Sequence, residues 1–316
     1  MTSVLGIDTS AYTTSAALVV DGQVSAEARR LLPVPAGERG LRPQDAVMRH
    51  LEQLPEVLAT VWSGTPLDAV AVSERPRPLE ASYLPPFQAG LSHAAAIAMS
   101  HRIPLWRTSH QEGHMAAGIL DARGPADPEF HAIHISGGTT ELLHARRTAD
   151  GFRIRQVGST SDLYAGQLVD RVGVRLGCSF PAGPQIEELA RQATDRVILP
   201  VGPPVLREGL WQVSFSGPEA AAMRAIDMGA EKGAVARGVE DVLARGLAKL
   251  VEKAVDGGGP LLVVGGVAAN QRVRSELHRR LGSAFSLYWA SPERSRDNAV
   301  GVALIGYWRM AASAES

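Results

Sequence analysis

Two rhythms of apolar and polar positions run along the chain. The opening VLGIDTSAYTTSAALVVDGQV reads as an apolar strand, a small, hydroxyl-rich turn, a second apolar strand and an Asp21-Gly22 hairpin signal. The same order returns in HAIHISGGTTELLHARRTADGF: strand, a Gly137-Gly138 turn with Thr139 and Thr140, strand, then Asp150-Gly151. Counting Asp8 against Ser136 separates the two units by roughly 128 residues, which reads as an internal duplication and predicts two lobes. Small residues and hydroxyls at such turns let backbone N–H groups approach an anion closely, so the paired turns are candidates for holding a phosphate chain.

Helical periodicity covers residues 42–60, and DAVAVS at 68–73 reads as a buried strand. Pro76, Pro78, Pro85 and Pro86 mark a loop before a packed helix at 90–102, and 103–107 is a short strand leading into HQEGH. Residues 162–177 form a helix that Asp162 is placed to cap. PAGP breaks the chain at 181–184 before a helix at 185–193; the proline- and glycine-rich segment 196–212 is a loop or a pair of short strands. VSFSGPEAAAMRAI and 231–256 are helical. Residues 261–264 are a fully buried strand, Gly265 and Gly266 make the turn after it, and a helix starts near Asn270. Glycines between a buried strand and a helix N-terminus are a general nucleotide-binding device, although close packing alone also favours them.

A chain of 316 residues can bury a substantial core and suggests two domains or lobes. With 45% apolar and 21% charged residues it is not disordered, and no apolar run is long enough to span a membrane. MTSVLGIDTS lacks the basic start of a signal peptide, so the expected location is the cytoplasm. Cys178 is the single cysteine, which excludes an intramolecular disulfide and a multi-cysteine zinc site; a buried filler role fits it better than a nucleophilic one. A net charge of −1 argues against a broad nucleic-acid-binding surface. Local patches remain open, and Arg272, Arg274, Arg279, Arg280, Arg294 and Arg296 are the candidates for one that contacts phosphates.

His110 and His114 stand four apart in HQEGH, on one face of a helix, where two imidazoles either converge on a metal ion or serve as ordinary polar side chains. Glu112 is not adjacent to the first histidine, so the stretch is not the HExxH of a zinc protease.

Taken in order, GIDTS, HQEGHMAA, ISGGTTEL, DLYAGQLVDRVGVRLG, FPAGPQIEELA, VSFSG, VVGGVAANQRVR and SRDNAVGVAL resemble one family over nearly the whole chain. It is that of the tRNA N6-threonylcarbamoyladenosine synthases, long labelled O-sialoglycoprotein endopeptidases, in the actin/Hsp70/sugar-kinase superfamily. The resemblance implies an α/β, ASKHA-type fold with duplicated ribonuclease H-like domains around a nucleotide cleft. Residues 1–108 with 297–316 would form the first lobe and 109–296 the second. It implies that His110, His114 and Asp297 bind one divalent ion, iron or zinc. Ser136, Gly137, Gly138, Thr139 and Thr140 would contact an adenine nucleotide or threonylcarbamoyl-adenylate, Asp170 and Gly183 its ribose side, and Gly265, Gly266 and Asn270 the adenosine. Asp8, Ser136 and Thr139 are the catalytic candidates. The implied reaction transfers threonylcarbamoyl from its adenylate to N6 of adenosine 37 in ANN-decoding tRNA. Implied partners are tRNA, bound transiently, and a related paralogue and an ATPase of a threonylcarbamoylation complex, with a homo- or heterodimer and no membrane.

The chain departs from the family pattern within the ligand-binding motifs. Tyr12 and Thr13 stand where an Asp-Glu pair is usual, Thr139 replaces a histidine, and Gln167 and Arg171 replace an acid and a lysine. General acid–base groups contribute typically about 10²–10⁴-fold, so two rival readings follow: carbamoyl transfer to a small-molecule acceptor, and a non-catalytic nucleotide-binding paralogue that regulates a true synthase.

Overall fold

Strand β1 (Ser3–Thr9) is buried on both faces, and its residues are apolar, small or hydroxyl-bearing except for the buried Asp8. It runs antiparallel to β2 (Thr13–Val20), which pairs antiparallel with β3 (Gln23–Leu31). Asp21 and Gly22 both take positive φ in the two-residue link between β2 and β3, as the hairpin signal predicts. After helix α1 (Pro43–Val61), strand β4 (Ala69–Arg75) joins β1 in parallel; after helix α2 (Phe87–His101), strand β5 (Leu105–Ser109) joins β4 in parallel. The computed structural model describes residues 1–34 and 41–314.

Period-2 alternation in these strands feeds two cores. Leu5, Ile7, Leu18, Val70 and Val72 pack with Leu54, Val57 and Ala94 of α1 and α2. Val4, Ala17, Val19 and Ala71 face the other way, against Val300, Val302, Ala303 and Leu304 of the C-terminal helix, Val300–Ala314. Helix α3 (His110–Ala122) follows β5 without a break.

These elements form one unit, Met1–Asp121 with Arg147–Arg153 and Arg296–Ser316. Ala122–Arg146 and Ile154–Ser295 form the other. The division falls after Asp121, where 108 was the expected boundary, so HQEGH sits in the same unit as Asp297.

The second unit repeats the plan. Strand β6 (Glu129–Ile135) pairs antiparallel with β7 (Thr140–Thr148), which is followed by β8 (Gly151–Thr160). Helices α4 (Ala165–Leu176) and α5 (Gly183–Gln192) come next, then the short strands β9 (Val205–Arg207) and β10 (Leu210–Val213) within the segment left open between loop and strands. Helices α6 (Ser216–Asp227) and α7 (Lys232–Ala254) lead to β11 (Gly259–Val264), a 3-10 turn at Gly266–Ala269, α8 (Gln271–Leu281) and β12 (Phe285–Trp289). Strand order is β3-β2-β1-β4-β5 in one sheet and β12-β11-β6-β7-β8-β10-β9 in the other, so β1 to β5 correspond to β6, β7, β8, β11 and β12. The core of this unit gathers Val239, Leu243 and Leu247 of α7 with Leu142, Leu261 and Val263 of the sheet and Leu168 and Val172 of α4.

Pairing fixes the alignment of the two repeats. Thr9 faces Thr14 across the first turn and Ile135 faces Thr140 across the second, an offset of 126 residues, not 128. Each turn closes with the same bond: Ser10 N–H donates to Thr13 O at 3.2 Å, and Ser136 N–H to Thr139 O at 2.8 Å. Ser136 therefore corresponds to Ser10, and Asp8 to His134. Asp162 does not cap α4: Tyr164 takes the N-cap position, with its N–H donating to Gln167 Oε1 at 3.3 Å, while the Asp162 carboxylate accepts from Phe215 N–H at 2.9 Å and from the Ser214 and Ser216 hydroxyls. No helix among the described residues is long and apolar enough to cross a membrane.

Candidate functional site

Helix α3 starts on a capping box that explains Glu112. Ser109 Oγ accepts from Glu112 N–H at 3.2 Å, while Glu112 Oε2 accepts from Ser109 N–H at 2.9 Å, Ser109 Oγ at 2.7 Å and Thr108 Oγ1 at 2.9 Å. Glu112 is thus spent on starting the helix. His110 and His114 take the other face, with their rings 4.5 Å apart.

Asp297, just before the C-terminal helix, closes a triangle with them. His110 Nε2 and His114 Nε2 lie 3.1 Å apart, and Asp297 Oδ1 is 3.2 Å from His114 Nε2 and 3.5 Å from His110 Nε2. Ligand atoms about 2.0–2.2 Å from one ion, at tetrahedral or octahedral angles, stand roughly 2.9–3.5 Å apart, so the triangle has the dimensions of a three-ligand face. The chemistry agrees. Asp8 Oδ1 accepts from His110 Nδ1 at 2.9 Å and also from the Ser73 hydroxyl, so in the neutral ring the proton sits on Nδ1 and Nε2 points a lone pair at His114 Nε2. Two ring nitrogens and a carboxylate aimed at one point fit a divalent cation, and this group could hold one.

Electrostatics in the metal-free state point the same way. Burial opposes a charge on His110, but the carboxylates of Asp8 and Asp297 outweigh it and raise the imidazole well above its ordinary range. Asp297 moves oppositely: burial favours its neutral form, and the hydrogen bonds and charges of His110 and His114 overcome that and hold it well below the usual carboxylate range. A cation entering the triangle would displace the imidazole proton.

The second unit assembles the remaining expected residues. Ser136 to Thr139 form the turn, exposed at Gly137 and Gly138 and half-buried at its two ends, with Gly138 N–H donating to Ser136 Oγ at 3.3 Å. Thr140 is buried, and its Oγ1 accepts from Ala165 N–H at 2.8 Å, tying the turn to the start of α4. Gly166 N–H donates to Ser136 O at 3.1 Å, and a Cβ on Gly166 would stand 2.6 Å from Gly137. Gly265, at the end of β11, lies against Ile135 O, so the second glycine turn adjoins the first. Asp170 is a half-buried acid of α4 whose Oδ1 accepts from Ala182 N–H at 2.8 Å, next to Gly183; burial raises its carboxyl despite that bond. Asn270 caps α8 by accepting from Val273 N–H at 2.8 Å, and its Nδ2 donates to the buried Glu240 at 2.6 Å.

Sequence reading missed Ser10, Ser73, His50 and Glu240. Ser10 Oγ donates to Asp297 Oδ2 at 2.6 Å. No spacing rule links residues 287 positions apart, so only the fold reveals that pair. The arginine patch is largely consumed locally: Arg274 donates to Ala268 O at 2.8 Å and lies over the Trp289 ring, Arg279 pairs with Glu276 at 2.8 Å, and Arg272 and Arg280 stand 3.8 and 3.5 Å from Glu240 and Glu276. Cys178 packs on the second unit's core, and burial raises its thiol, which suits a filler.

Residues 11–304 match the family model of tRNA N6-adenosine threonylcarbamoyltransferase. A Thermus thermophilus protein of that name is 32% identical over 97% of this chain and 92% of its own length, and one from Carboxydothermus hydrogenoformans is 32% identical with the same coverage. Among solved structures, HypF of T. kodakarensis aligns with a TM-score of 0.64 and 13% identity over 99% of this chain and 48% of its own. Component A of the Acidaminococcus fermentans (R)-2-hydroxyglutaryl-CoA dehydratase aligns at 0.59 and 17% identity over 99% of this chain and 100% of its own. Those structural likenesses give the fold, of the actin/Hsp70/sugar-kinase class. The sequence matches, covering almost every residue that builds the two turns and the histidine–aspartate triangle, go further: this chain is a transferase and belongs to the tRNA N6-adenosine threonylcarbamoyltransferase family.

Proposed function

We propose that the chain transfers a threonylcarbamoyl group from threonylcarbamoyl-adenylate to N6 of adenosine 37 in ANN-decoding tRNA, with one iron or zinc ion held by His110, His114 and Asp297. The observation that carries this reading is the intact donor triangle, 3.1 to 3.5 Å on its edges, in a chain of this family. When bound, the ion would act as Lewis acid and template for the acyl donor.

The chain's own residues supply the rest. Backbone N–H groups of the Ser136 to Thr140 turn, backed by the α4 N-terminus, would receive the donor's phosphate. Asp170, with Gly183 beside it, would accept from ribose hydroxyls, and Gly265, Gly266 and Asn270 would border the adenosine. Asp8 would hold the His110 proton on Nδ1. The N6 amine attacks the carbamoyl carbon, the N–C bond forms, the C–O bond to phosphate breaks, AMP leaves with the electron pair, and the amine proton passes to solvent or a neighbouring base. Positioning supplies most of the rate in such a scheme. Ser136 and Thr139 would offer their hydroxyls to the donor from this turn. A related paralogue and an ATPase are the proposed partners, and the cytoplasm, where tRNA is met, the proposed location.

The first turn favours a second reading. Tyr12 and Thr13 put no carboxylate where the family usually has two, and Thr13 is buried. A paralogue that binds the nucleotide and regulates a true synthase would tolerate that. Single-turnover transfer separates the two: purified chain, synthetic threonylcarbamoyl-adenylate, unmodified ANN-decoding tRNA and candidate partners, with modified nucleoside quantified by mass spectrometry. Product above the no-enzyme control supports the transferase reading. Nucleotide binding without product, with a family synthase active under the same conditions, favours the regulator.

A further inference from the structure

We infer that Ser10 is a positioning residue for the metal ligand Asp297, and that His50 holds Ser10 in place. The inference rests on the metal-binding reading above. It starts from the two oxygens of one carboxylate. Asp297 Oδ1 faces both imidazoles, at 3.2 and 3.5 Å, while Oδ2 accepts from Ser10 Oγ at 2.6 Å. A hydroxyl fastened to Oδ2 fixes the rotation of the carboxylate and leaves Oδ1 as the single ligand atom. Unfastened, the group is free to turn, present both oxygens or swing away from the histidines.

Ser10 is only 3% exposed and sits at the head of the first turn, where its own N–H is tied to Thr13 O. Its carbonyl takes one more bond, from His50 Nε2 at 2.8 Å. His50 is fully buried on α1 and plays no part in the proposed chemistry. A carbonyl only accepts, so the His50 proton lies on Nε2, and Nδ1 faces Thr14 Oγ1 at 2.8 Å. Burial lowers this imidazole against the opposing Ser10 carbonyl and Asp8 charge, which keeps it neutral. Thr14, within reach of Gln53 at 2.9 Å, is the second residue of β2, on the far side of the same turn. Both His50 nitrogens are therefore spent on the turn that carries Ser10 and on the residue that follows it, Thr14.

An apolar side chain would fill this place on α1 with no partners to satisfy. The imidazole instead holds the two ends of the turn apart at a fixed distance. A parallel arrangement serves the other ligand: the Ser73 hydroxyl fastens Asp8, and Asp8 fastens His110. Partners behind metal ligands typically change affinity about 10–100-fold when removed, and Ser10 stands directly behind Asp297.

The test is metal affinity in the full chain, measured by titrating metal-free protein with Zn²⁺ against a competing chelator, alongside the melting temperature of the metal-free form. Ser10→Ala is expected to weaken Zn²⁺ binding about 10–100-fold while the metal-free melting temperature stays near that of the wild type. Ser10→Thr, which keeps the hydroxyl, restores most of the affinity. His50→Leu weakens binding and His50→Gln, which keeps a donor for the Ser10 carbonyl, weakens it less. Wild-type affinity in Ser10→Ala, or equal loss in Ser10→Thr and Ser10→Ala, overturns the inference. His110→Ala is the control. If the wild type itself takes up no stoichiometric Zn²⁺, the metal-binding reading fails and this inference with it; if binding is lost in His110→Ala but not in Ser10→Ala, only the inference fails.

Discussion

The carbonyl oxygen of Gly113 occupies the place a side chain on Gly301 would need: a Cβ built on Gly301 stands 1.8 Å from it. Gly113 lies between His110 and His114 on α3, and Gly301 is one turn beyond Asp297 on the C-terminal helix. The two helices cross there with backbone close to backbone and the Val302 side chain lying against Gly113, and this contact sets how close Asp297 comes to the histidines. Gly301→Ala is therefore expected to push the helices apart, at a cost of about 1–3 kcal/mol typical of overpacking, and to weaken metal binding with it. Thermal unfolding and elemental analysis of the purified variant read both effects. A melting temperature and metal content equal to the wild type would remove the crossing as the determinant of the triangle.

Replacing both histidines, His110→Ala with His114→Ala, removes two of the three donors but little of the core, since the larger buried groups of α3 are Met115 and Ile119. The expected outcome is metal content near zero with an unchanged far-UV circular dichroism spectrum. Full metal retention by elemental analysis would sink the ligand assignment.

In the metal-free protein the same residues make stability depend on pH with two opposite signs. His110 has a folded-state pKa raised above the ordinary imidazole value of 6.5, so its contribution is fully present below 6.5 and is lost as pH rises through the folded value. Asp297 has a folded-state pKa depressed below 3.8, so its contribution is present above 3.8 and is lost as pH falls through the folded value. Urea unfolding of the chelator-treated chain should place the share of stability due to this pair at its greatest between those limits. Asp8→Asn, which removes the first carboxylate that raises His110, should shift the alkaline loss to lower pH. An alkaline limb that does not move in Asp8→Asn would count against Asp8 as its source.

Most strands and helices were legible because burial on two faces or one leaves a period in the sequence. Leu5 and Ile7 against Val4 and Gly6 mark β1, and the Asp21-Gly22 pair marks its hairpin partner's turn. The histidine spacing was legible too, because i and i+4 share a helix face, and the family resemblance supplied Asp297. The role of Glu112 was not, since a capping box and a catalytic acid use the same residue and only the bonds to Ser109 separate them. Ser10 and Ser73 were invisible for a different reason. A serine's contribution depends on what folds against it, and their partners lie 287 and 65 positions away. The duplication was found but misaligned by two residues, because hydroxyl-rich turns look alike until strand pairing fixes the register.

Glu240 carries the last prediction. It is 2% exposed on α7 and accepts from Asn270 Nδ2 at 2.6 Å. Burial, and to a smaller degree the nearby Glu187, push its carboxyl up to about 7 against the lowering effects of Asn270, Arg272 and Arg237. The sign is unusual for an acid. Between the ordinary glutamate value of 4.5 and about 7 the folded chain keeps a proton that the unfolded chain has released, so this group stabilises most at low pH and its contribution falls as pH rises to about 7. The full swing is at most roughly 3 kcal/mol for a shift of this size. Glu240→Gln keeps an acceptor for Asn270 and removes the titration, so its stability relative to the wild type should climb between pH 5 and pH 8 in parallel urea titrations. A constant difference across that range would show that Glu240 does not titrate there, and would leave Asn270 held by an acid already ionised in the folded chain.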